Sequence, residues 1–77
     1  MNWEYIARQA GRYEKFTERS DKLDCLYRIA SHANLVSLDE QHQIDQVGWT
    51  KDLENRVLRW LKANKAAIAQ AQQAEVV

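Results

Sequence analysis

Cys25, His32 and His42 are the only cysteine and histidines in the chain, and they bound the soft-ligand or nucleophilic chemistry it could perform. Zinc sites use paired Cys or His residues at short spacings such as C-x2-C, and no such pair occurs here. Cys25 and His32 are two helical turns apart, so a helix would place them on one side. A Cys–His nucleophile pair also needs an orienting third group and oxyanion donors, and nothing in the sequence marks either. Cys25 is therefore expected to be a small apolar residue in or beside a core. His32 is expected to serve as a favourable partner for a helix C-terminus. Asp39, Glu40 and Asp45 crowd three carboxylates into one short segment. Paired carboxylates perform acid/base work inside a cleft, and 77 residues leave little interior for one. Capping and solvation explain these acids, with a patch for a basic partner surface as the functional counterpart. The expectation is of a non-enzyme, with no catalytic residue, metal or cofactor.

Two patterns point to recognition instead. Arg8, Arg12, Lys15, Arg19 and Lys22 recur at alternating spacings of four and three, so one helix would align them as a basic stripe. Such a stripe could follow a phosphate backbone or an acidic groove on a partner. Glu4, Glu14 and Glu18 flank it and equally suit a solvated, ion-paired face. The second pattern is aromatic: three Trp in 77 residues. Trp60 falls between Val57 and Leu61 and is expected in the core. Trp3 at a terminus and Trp49 beside Gly48 are expected to be only partly covered. Trp, Tyr and Arg dominate interface hot spots, so the partner-binding candidates are Trp3, Arg8, Arg12, Tyr13, Lys15, Arg19 and Trp49.

The elements that must position these residues are helical. The chain has no Pro and only two Gly, Gly11 and Gly48, which removes most residues that punctuate strands and tight turns. Apolar residues return at spacings of three and four throughout. Asn2 is expected to cap a first helix over 3–17. The apolar side then changes too abruptly for one straight helix. A break near Arg19-Ser20-Asp21, with Ser20 as cap, predicts a second helix over 21–34, one bent helix being the alternative. Asn34 suits a left-handed turn. Ser37 and Glu40 form a capping box for a helix over 38–48. Gly48 ends it, and Thr50 caps a last, longer helix over 51–72. The fold expected is a compact all-α bundle of three to four short helices in a single domain, 1–77. Its predicted core is Ile6, Ala10, Leu23, Leu26, Ala30, Leu38, Ile44, Val47, Leu53, Val57, Trp60, Leu61 and Ile68.

Eleven basic and eleven acidic residues cancel, which provides no global attraction to nucleic acid or an anionic membrane. The start has no basic segment or apolar h-region, and no apolar run approaches a membrane span. A cytoplasmic protein is expected. A helix-turn-helix reading of Ile29 to Leu35 fails on charge. The helix it would insert into DNA carries Asp39, Glu40 and Asp45 and has no Lys or Arg before Lys51.

The stretch Leu23-Asp24-Cys25-Leu26-Tyr27-Arg28-Ile29 resembles a short piece of the Hha/YmoA family of small helical nucleoid modulators. That resemblance implies a regulator acting through a DNA-binding partner. Beyond it the matches are scattered, at Asp39, Leu53 and Leu61. The family's aromatic, Ala-rich centre is replaced here by Ile44-Asp45-Gln46-Val47-Gly48-Trp49, and no residue role is carried over.

Together these features predict a small non-enzymatic protein–protein interaction module. It would be an adaptor, inhibitor or regulator of the accessory type found in phages, plasmids and bacteria, acting on a larger partner of unknown identity. The alternative is a nucleic-acid-associated regulator using the basic stripe. A homodimer is also expected, because zero net charge and small size favour association and a helix over 51–72 would overhang a small core. Its contact would involve Trp60, Leu61, Ala67 and Ile68.

Overall fold

A computed structural model describes residues 1–76. It contains five helices and, among the described residues, no strand: α1 (Trp3–Lys15), α2 (Arg19–His32), α3 (Leu38–Gln46), α4 (Lys51–Ala63) and α5 (Lys65–Val76). The all-α class agrees with the apolar periodicity. No helix among the described residues is long and apolar enough to cross a membrane.

Local hydrogen bonds set most of the boundaries. Asn2 Oδ1 accepts from Tyr5 N–H at 3.1 Å and opens α1. Phe16, extended at φ −69° and ψ 142°, closes it, so residues 3–34 form two helices and not one bent helix. The cap of α2 differs from expectation. The helix starts at Arg19, with Glu18 at the N-cap and no side-chain cap bond, so Ser20 lies inside it. At its other end Asn34 takes the left-handed conformation (φ 56°). Leu35 N–H then reaches back to the Ala30 carbonyl at 2.9 Å, which satisfies an otherwise orphaned acceptor. The capping box opens α3 as predicted: Glu40 N–H donates to Ser37 Oγ (3.1 Å) and Ser37 N–H to Glu40 Oε1 (2.9 Å). Thr50 Oγ1 accepts from Leu53 N–H at 3.2 Å and opens α4.

Gly48 links α3 to α4 at φ 105°, a region that L side chains avoid. Nothing lies within 4 Å of the position a Cβ would take there, so the cost of a side chain is conformational. Gly48→Ala is expected to lose about 1–2 kcal/mol. Gly11 is the contrasting case, in mid-helix, where a methyl group would meet Gln72 Nε2 at an ordinary 3.6 Å. Gly11→Ala is expected to gain about 0.5–1 kcal/mol. Urea unfolding of the two variants should move the midpoint in opposite directions.

The helices close around α1 and α2, which run antiparallel. The Tyr5 ring stacks on His32 at 4.1 Å, and eight residues on, the Tyr13 carbonyl accepts from Lys22 Nζ at 2.6 Å. Leu26, Ile29 and Ala30 of α2 meet Ile6 and Ala7 of α1, and Leu53 and Val57 of α4 complete the centre. Arg56 joins α4 to the α2–α3 turn, donating to the Leu35 carbonyl (3.1 Å) and to Glu40 Oε1 (2.8 Å). That guanidinium, with the Ser37 N–H, holds the Glu40 carboxyl below its ordinary range.

The expected long C-terminal helix is broken. Asn64 leaves helical geometry at φ −110° and ψ 21°, and its Nδ2 donates to the Trp60 carbonyl at 2.8 Å. The bend turns α5 back along α1, where Gln72 Nε2 donates to the Ala7 carbonyl at 3.2 Å and Ile68 is buried. A straight helix would have left Ile68 uncovered, and burying that side chain favours the bend by about 1.5–3 kcal/mol.

Two predicted core residues are corrected. Leu38 and Val47 are 74% and 82% exposed, because α3 lies at the periphery and buries only Ile44. Ala10, Leu23, Trp60 and Leu61 are half-buried against the core, and Ala7, Ile29, Ala33 and Val36 join it.

Candidate protein-binding groove

The molecule measures 40 × 25 × 16 Å. Its short axis is little more than one helix diameter of about 10–12 Å, which leaves concave sites to the grooves between helices. One groove, of about 540 Å3, lies between α2 and the α3–α4 junction. It is lined by Ser20, Leu23, Asp24, Tyr27 and Arg28 from α2, by Ile44 and Asp45 from α3, and by Trp49. The α2 residues are neighbours at spacings of three and four, which puts them on one helix face. That face is turned from α1, because α1 takes the side carrying Lys22, Ile29 and His32.

Trp49 lines the groove directly after Gly48, where the chain turns at φ 105° with the Gly48 N–H tied to the Ile44 carbonyl at 3.0 Å. The same junction therefore supplies both the aromatic wall and the buried Ile44 at its base. Leu23, Tyr27 and Trp49 are half-buried, and Asp24, Arg28 and Asp45 are exposed around them. The carboxylates of Asp24 and Asp45 make no hydrogen bond or ion pair with a described residue. An apolar floor with a few charged groups on its rim is the usual composition of a recognition site.

Of the sequence-predicted contacts, only Trp49 belongs to this groove. The basic stripe is not carried by one helix, because the break at Phe16 to Glu18 divides its residues between α1 and α2. Arg8, Arg12 and Lys15 are exposed on α1. Arg19 is bidentate to Glu54 of α4, at 3.3 and 3.0 Å. Lys22 lies 4.4 Å from the centre of the Tyr13 ring, so both members of that pair are engaged within the chain. Trp3 stacks on Trp60 with centroids 5.7 Å apart and planes inclined by 12°, which fastens α1 to α4. Of the expected dimer contacts, Ile68 is buried within the chain, while Leu61 and Ala67 are half-buried. Leu61 also lines a smaller groove of about 340 Å3 between α1, α4 and α5.

Cys25 is fully buried. Desolvation pushes its thiol up, against the opposing pull of Arg28 and Arg12. Among the described residues no three His, Cys, Asp or Glu side chains gather as a metal site.

Sequence reasoning missed the α2 wall of the groove. The i, i+4 pairs Ser20–Asp24 and Leu23–Tyr27 carry that face, but nothing local says that Trp49 stands opposite. No known protein-family model, characterised protein or solved structure matches this chain.

Proposed function

We propose that the protein is a non-enzymatic protein-binding module that acts by docking a larger partner onto the α2–α3 groove. The observation that carries this reading is Trp49, a half-buried aromatic on the wall of an open 540 Å3 groove. A large side chain packed against the core beside the Gly48 turn is preorganised for contact, which lowers the ordering cost of binding. Partly covered Trp and Tyr also supply much of the energy at interfaces.

The test is affinity capture of tagged protein from its native lysate, read by mass spectrometry alongside light scattering. The parent should recover one stoichiometric partner, and Trp49→Ala should release it. Ablating one aromatic anchor typically costs about 2 kcal/mol or more, roughly 30-fold in affinity. If the parent stays monomeric with no stoichiometric partner, or if Trp49→Ala retains it fully, this function is wrong.

A further inference from the structure

The groove combines aromatic faces with unengaged carboxylates, and that combination selects a cation. Tyr27 and Trp49 present half-buried rings to the same space, and aromatic faces attract a guanidinium through the ring quadrupole. Asp24 stands on the α2 wall and Asp45 on the α3 wall, both exposed. Elsewhere this chain pairs its well-placed carboxylates with arginines, Glu54 with Arg19 and Glu40 with Arg56. Asp24 and Asp45 have no such partner among the described residues. Arg28, four residues after Asp24, is the one cation lining the groove and forms no ion pair with either acid. Two carboxylates against one guanidinium leave the groove acidic.

We propose that the groove receives an arginine side chain from a basic segment of the partner protein, stacked on Trp49 and Tyr27 and hydrogen-bonded to Asp24 or Asp45. This inference rests on the binding-module reading. Arginine fits better than lysine because its planar guanidinium both stacks on rings and forks onto carboxylates. A phosphate-bearing ligand would face repulsion from the same two acids.

The probe is an acetylated, amidated Gly–Ser peptide with arginines at alternate positions, compared with its lysine and citrulline counterparts. It is titrated into isotope-labelled full-length protein and followed by NMR. The arginine peptide should shift the Trp49 indole N–H and the amides of Leu23 and Tyr27. Citrulline keeps the shape but loses the charge, and should bind about ten-fold more weakly or worse; lysine should fall between. Asp24→Asn with Asp45→Asn should cost about ten-fold or more. Glu4→Gln with Glu14→Gln makes the same change in net charge on α1, away from the groove, and should stay within about two-fold of the parent. All four substituted side chains are exposed, and circular dichroism verifies that both double variants fold. Absence of saturable binding, equal binding of the citrulline peptide, unchanged affinity of the Asp24/Asp45 variant, or shifts confined to other surfaces would each overturn the proposal. Capture of the native partner separates this inference from the broader one. A partner released by Trp49→Ala but retained by the Asp24/Asp45 variant keeps the binding module and removes the arginine. A partner retained by both variants removes the groove from both.

Discussion

Truncation after Lys65 should lower the melting temperature by roughly 12 °C or more, because α5 is part of the fold and not an overhang. Its removal strips the cover from Ile68's contact region on α1 and takes away the Gln72 bond to the Ala7 carbonyl. Burial of Ile68 alone is worth about 1.5–3 kcal/mol. Uncovering the half-buried Trp3 and Ala10 and the buried Ala7 raises the total to about 3 kcal/mol or more. For a domain of this size each kcal/mol shifts the midpoint by about 4–8 °C. Thermal unfolding followed by circular dichroism measures it directly, and an unchanged midpoint would contradict the packing of α5 on α1. The result also bears on self-association. A loss of stability is expected of the monomer itself, so only a change in light-scattering mass, or a midpoint that depends on protein concentration, reports a dimer held by this helix.

Leu26→Ala is expected to destabilise the protein by about 2–5 kcal/mol. Leu26 is fully buried and shares one cluster with Ile6, Ile29 and Val57, which are fully buried too. The cluster joins α1, α2 and α4, which the Trp3–Trp60 stack and the Arg19–Glu54 pair also hold in place, so the helices cannot all collapse into the space a lost isobutyl group leaves. Domains of this kind have only about 5–15 kcal/mol of net stability, so the variant would spend a large share of it. Leu38→Ala is the matched control. Leu38 is 74% exposed, and the same chemical change there should stay within about 0.5 kcal/mol. Chemical denaturation of the pair tests the assignment, and equal losses would refute the placement of α3 at the periphery.

The parts of this protein legible in the sequence are those decided within about one helical turn. The caps at Asn2, Ser37 and Thr50 and the left-handed Asn34 each rest on bonds between residues three to five apart, so composition and spacing suffice to find them. The all-α class followed from periodicity for the same reason. Even locally there was one failure. Ser20 is a better intrinsic cap than Glu18, but α2 begins two residues earlier than that cap allows, with Arg19 paired to Glu54 of α4.

Tertiary structure decided the rest. Nothing in Lys65 to Ala74 argues against continuing α4, since Ala, Gln and Lys are good helix formers; the bend at Asn64 is explained by Ile68 and Gln72 reaching α1. Leu38 and Val47 fit an apolar pattern, but α3 is short and peripheral, so only Ile44 finds a surface to bury against. The basic stripe needed one continuous helix and lost it at Phe16. Its members Arg19 and Lys22 then found Glu54 and Tyr13 in their new surroundings. The groove depends on the same kind of juxtaposition: Asp24 and Tyr27 on α2 face Asp45 and Trp49 only after the chain has turned at Asn34 and again at Gly48. Local hydrogen bonding thus determined where helices start and stop, while long-range burial determined which faces they share and which aspartates and aromatic rings line one groove.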